Sequence, residues 1–97
     1  MLDFILLMHN DAASKPSSDM WDHYFASLRE RGAFVGGSSM GHGECVRKTG
    51  TAAATTDHLG GFIRVRARDL SEAKQFVNGN PVFECGGTIE IRELPKN

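Results

Sequence analysis

The chain has 97 residues, 11 of them basic and 12 acidic, for a formal net charge of −1, and 40% of its residues are apolar. So balanced a charge gives no field to hold nucleic acid or an anionic membrane. The length provides one core and one domain, residues 1–97, small enough that a partner subunit would be a useful source of further burial. Cys45 and Cys85 have neither metal-ligand spacing nor a CxxC arrangement, and the expectation is free thiols in a reducing cytoplasm.

The first element is Leu2 to Met8, an apolar run interrupted only by Asp3. It lacks a basic leader and is too short to cross a bilayer, so it is expected to be a strand and not a targeting or membrane segment. Leu2, Phe4, Leu6 and Met8 fall on one side and Ile5 and Leu7 on the other, the pattern of a strand apolar on both faces. A polar loop, Ser14 to Ser18, then delivers Ser17 or Ser18 as the N-cap of a helix with Asp19 and Asp22 in its first turn. Trp21, Phe25 and Leu28 predict its apolar stripe, with Tyr24 beside it, and Gly32 its end.

Ala33 to Gly37 reads as a second strand, its paired glycines marking a bulge or a close backbone approach. From Ser38 to Asp57 the pattern is weak, and a protruding hairpin (Glu44 to Lys48 against Gly50 to Thr56) or a loop is expected. Gly60-Gly61 opens a third strand, Phe62 to Ala67, in which Arg64 and Arg66 alternate with apolar residues. Asp69 with Glu72 three residues on is a capping-box pattern for a second helix, which Gly79 and Pro81 are expected to stop. Thr88 to Leu94 alternates again as the last strand.

The order β-α-β, insertion, β-α-β predicts an α+β fold, the ferredoxin-like βαββαβ plait, a four-stranded sheet with both helices on one face. The open face would then carry Ile5 and Leu7 into water, which predicts a homodimer joined across that face. Arg64, Arg66, Glu90 and Arg92 should project there and pair in one network, Arg64 or Arg66 meeting Glu90 of its own chain or of its partner, or else the arginines should line a pocket for a small carboxylate or phenolate.

FILLMHND at the start, Trp21 to Gly32 running into AFVGG, LGGFIRVRARDLSEAKQFVNGNP and the closing GGTIEIREL together resemble the YCII-related family, in particular its DGPF-type branch. The Asp-Gly-Pro-Phe signature itself is absent, Thr49 to His58 standing in its place. The resemblance implies a ferredoxin-like fold paired into a dimeric α/β barrel. It also implies cofactor-free acid–base chemistry, such as elimination or isomerisation, on a small organic ring compound. The proposed acid–base pair of the YCII branch, a helix-one histidine and an aspartate before proline, has no direct counterpart. His23 lies about two positions off the first place, and Asn80, whose amide does not exchange a proton as a carboxylate does, fills the second.

Among the chain's own residues, His9 at the end of strand one is the leading proton carrier, with Asp11 or Asp57 to orient it. Arg64 would stabilise an anion, and Trp21, His23 and His58 are candidates to line a substrate pocket. His42 and Cys45 are three apart without further ligands at fixed spacing, so no metal site is predicted. The alternative is a module of the same fold that binds a metabolite or a regulatory protein without catalysis.

Overall fold

A computed structural model describes residues 1–96. In chain order the elements are β1 (Leu2–His9), α1 (Ser18–Glu30), β2 (Phe34–Ser39), β3 (Leu59–Ala67), α2 (Leu70–Gln75), α3 (Pro81–Glu84) and β4 (Ile89–Leu94). The strands form one sheet in the order β2-β3-β1-β4, and every neighbouring pair is antiparallel. With the helices against one face, this is the ferredoxin-like plait.

The ends of α1 follow from local chemistry. Ser17 has extended backbone, and its hydroxyl accepts from the Met20 N–H at 3.3 Å, satisfying one of the donors that a helix start leaves free. At the other end Gly32 has φ +67°, the left-handed region that costs other residues more. The Gly32 N–H returns to the Arg29 carbonyl and the Ala33 N–H to that of Leu28, both at 3.0 Å, which is a Schellman closure. The stripe that α1 buries is Tyr24 and Leu28, one step round from the predicted phase. Trp21 and Phe25 are left half-buried at its flank.

Asp69 caps α2 as predicted, its carboxylate accepting from the Glu72 N–H at 2.8 Å. Glu72 reaches back to the Arg68 N–H at 2.9 Å. Pro81 differs from its predicted role. The chain turns at Gly79 (φ +88°), and Pro81 opens a short further helix, α3, at its first position, where its missing N–H costs nothing. The Asn80 side chain caps α3 by accepting from the Val82 N–H at 2.9 Å and the Phe83 N–H at 3.3 Å.

The core is the helix-facing side of the sheet. Phe4, Leu6, Ile63 and Val65 are each 1% exposed or less and pack with Tyr24, Leu28, Ala73, Phe76 and Val77. The buried Tyr24 hydroxyl donates to the Phe76 carbonyl at 2.6 Å, and burial pushes its pKa up to about 12. On the opposite face the register sets Arg64, Ile5 and Arg92 side by side, and Phe62, Leu7 and Glu90 in the next row. The predicted four charges are therefore all there, and Glu90 pairs with Arg92 from among them, but within the chain neither Arg64 nor Arg66 meets Glu90. Arg66 meets Asp3 at 3.3 Å, and Glu90 meets Arg92 at 3.2 Å and His9 at 3.0 Å. Asp3 on β1 is the direct register partner of Arg66 on β3, whereas Glu90 on β4 lies two strands away, so proximity decides the pairs.

Between β2 and β3, residues 40–58 run without helix or strand and are almost entirely exposed. The hairpin alternative is thus absent: these residues carry no alternating apolar set to hold two strands on the sheet. Cys45 in this segment and Cys85 beyond α3 are both free. No helix is long and apolar enough to cross a membrane among the described residues.

Candidate functional site

The turn after β1 is held between two other segments. The His9 N–H donates to the Thr88 carbonyl at 3.0 Å, and the Asn10 N–H to the His58 carbonyl at 2.7 Å. Asn10 Nδ2 reaches the Asp57 carbonyl at 3.2 Å. Asp11 receives both the Thr88 N–H (2.8 Å) and its hydroxyl (2.6 Å), and these two bonds, the hydroxyl first, hold its carboxyl below the usual range. A side chain at Gly60 would collide with Asn10 Oδ1, so glycine there admits the Asn10 amide. The pairing register of β1 shifts between Met8 and His9, placing His9 opposite Leu59.

His9 Nε2 stands 3.0 Å from Glu90 Oε1. This bond, and after it the Arg92 guanidinium, keep the Glu90 carboxyl below its ordinary range. An ionised carboxylate only accepts, so Nε2 carries the proton in the neutral ring and Nδ1 is left as the basic nitrogen. The His58 ring meets the His9 ring edge to face, centroids 5.0 Å apart.

Beside this cluster a half-open cleft of about 530 Å³ lies at the same end of the sheet, lined by Met8, His9, Trp21, Phe25, Ile63 and Val82 among others. Trp21 and Phe25 stack one turn apart on α1, 5.7 Å between centroids and 23° between planes, and present one continuous aromatic wall. Phe34 abuts Phe25 edge-on at 5.3 Å and fixes it. Gly37 lets β2 lie close against β3 at the cleft, because a Cβ there would stand 2.6 Å from the Phe62 carbonyl oxygen and 3.3 Å from Ile63 Cγ1.

Of the residues singled out from sequence, His9 and Trp21 line the cleft, and His58 touches His9. Asp11 is occupied by Thr88, and Asp57 lies in the exposed strap with its carbonyl bonded to Asn10. Neither is the carboxylate beside His9. Arg64 is on the open sheet face and His23 on the exposed side of α1, both outside the cleft lining. Glu90 as the partner of His9, and Phe25, Lys15, Gly37 and Val82 as parts of the cleft, were not assigned to a site from the sequence. The alternation of β4 placed Glu90 on the open face; adding the β1–β4 register would have set it beside Leu7, two residues from His9. Among the described residues no three His, Cys, Asp or Glu side chains converge as a metal site would require.

The sequence matches the family of YCII-related domains. The model of that family matches residues 4–96, and the chain belongs to it. Among solved structures it is similar to 5-chloro-2-hydroxyhydroquinone dehydrochlorinase (TftG) from Burkholderia phenoliruptrix AC1100, in complex with 2,5-dihydroxybenzoquinone. The TM-score is 0.54 at 17% identity, over 99% of this chain and 96% of that one. At that identity the likeness concerns the fold. No curated protein matches the chain.

Proposed function

We propose that this protein binds a small organic ring compound in the cleft beside His9 and moves a proton on it without a cofactor. The observation that carries the reading is the His9–Glu90 bond at 3.0 Å next to an aromatic-walled cleft. Nδ1 of His9 takes a proton from the ring compound. Glu90, itself steadied by Arg92, stabilises the imidazolium that results. Return of that proton to another ring position is an isomerisation, and loss of an anionic substituent from the adjacent carbon is an elimination. Trp21 and Phe25 supply the stacking surface. A homodimer formed across the open sheet faces belongs to this reading, supported by the half-buried Ile5 and Leu7 on that face.

The test uses Trp21, the chain's single tryptophan, as a fluorescent reporter in a titration with 2,5-dihydroxybenzoquinone and related hydroxyquinols. Saturable quenching is expected in the native protein and in His9→Gln. Turnover of a chlorinated hydroxyquinol should fall on the order of 10²-fold or more in His9→Gln. Absence of saturable binding by any ring compound contradicts the reading. Binding without turnover in either form supports a non-catalytic binding module. Asn80 favours that alternative, since its buried amide is spent capping α3 and exchanges no proton.

A further inference from the structure

We propose that the cleft is selective for charge: it takes a planar ring bearing one ionised acidic group, and Lys15 is the residue that recognises that group. The inference rests on the cleft reading above and deepens it. Lys15 and His9 are the only side chains in the lining that carry or gain a charge, and no carboxylate lines it. The nearby carboxylates are already engaged, Glu90 by His9 and Arg92 and Asp11 by the Thr88 N–H and hydroxyl. Lys15 itself has no carboxylate within ion-pairing distance among the described residues. Its ammonium group therefore remains available to a ligand.

The remaining lining tells what the ligand's body must be. Trp21 and Phe25 offer a flat apolar face, and Met8, Ile63 and Val82 add further apolar side chains to the lining. A planar ring covers such a flat aromatic wall, whereas a branched aliphatic body would leave it poorly covered. Asn10, Ser38 and Ser39 add hydrogen-bonding groups at the rim. Lys15 sits in the loop before α1, next to Pro16, which also lines the cleft, so the cation is at the mouth and not beneath the ring. The acidic substituent accordingly points outward while the ring edge approaches His9.

The experiment titrates two isosteric pairs, benzoate against benzamide and 2-naphthoate against 2-naphthamide, and reads the Trp21 indole N–H resonance. The native protein should prefer each anion by roughly fivefold, as expected for an exposed ion pair, with the preference shrinking as salt is raised. Lys15→Met should bind the amides as before and lose the preference, and Lys15→Arg should restore it. Equal binding of anion and amide in the native protein, or an undiminished preference in Lys15→Met, overturns the charge inference and leaves the cleft reading standing. Failure of all four compounds to move the Trp21 resonance overturns both.

Discussion

The two faces of the sheet use the same strands to different ends. Along β1, Phe4 and Leu6 face the helices and are essentially sealed, at 1% and 0% exposure, whereas Ile5 and Leu7 on the other face are only half-buried. β3 repeats the contrast, with Ile63 and Val65 buried and Arg64 and Arg66 exposed. The helix face is completed within the chain: α1 and α2 cover it, and the polar groups buried there, the Asn80 amide and the Tyr24 hydroxyl, have hydrogen bonds. The open face is unfinished, an apolar centre of Ile5, Leu7 and Phe62 bordered by the pairs Asp3–Arg66 and His9–Glu90–Arg92. β1 is apolar on both sides, and its own chain buries only one of them.

That contrast can be broken most forcefully from the sealed side. Leu6→Ala should lower the unfolding free energy by about 2–5 kcal/mol, measured by urea denaturation, because the close-packed surroundings relax only in part around the lost volume. A cost below about 1 kcal/mol would mean that the helix face is not the core. The open side should respond in assembly and not in folding. Leu7→Asp places a charge at the centre of the proposed dimer face, and sedimentation should show monomer mass with a native-like circular dichroism spectrum. Unfolding, or an unchanged dimer, would show that this face is not the one a partner covers.

A third substitution removes a local device from neither face. Asp69→Ala deletes the α2 cap and should cost on the order of 0.5–2 kcal/mol at every protein concentration. An unchanged melting temperature would remove that role. The smallest expected effect concerns acid. Asp11 and Glu90 have folded-state pKa values below their ordinary 3.8 and 4.5. The unfolded chain therefore takes up these protons first as pH falls. Their contribution to stability is complete above those ordinary values and is lost as pH drops through the lowered ones. Asp11→Asn should flatten the fall in melting temperature between about pH 5 and pH 2. A slope identical to that of the native protein would show that the Thr88 bonds do not stabilise the fold.

The sequence was most legible where local rules and burial agree. Asp69, Gly32 and the alternation of β3 each act within a few residues, so the caps, the strand phase and the plait followed directly. The phase of α1 was harder. Trp21, Phe25 and Leu28 make as good a stripe as Tyr24 and Leu28, and only the sheet's position decides that the tyrosine enters the core while Trp21 and Phe25 line the cleft. Pro81 was ambiguous for a similar reason, since proline both ends one helix and begins the next. Most of the candidate site was not legible, because it depends on register. His9 and Glu90 are 81 residues apart, and nothing local joins them. Residues 40–58 offered no periodicity and adopt no regular element.

The central claim is that His9, held by Glu90, works at the edge of the aromatic cleft. It is tested most directly by long-range ¹H–¹⁵N spectra of the four histidines recorded with and without 2,5-dihydroxybenzoquinone. In the free protein, neutral His9 should be the Nε2–H tautomer, and Glu90→Gln should weaken that preference. On adding the ligand, the His9 imidazole and the Trp21 indole should shift together along one saturation curve, with His23 and His42 unmoved. A neutral His9 protonated on Nδ1, or a ligand that saturates the protein while leaving His9 unshifted, would contradict the account.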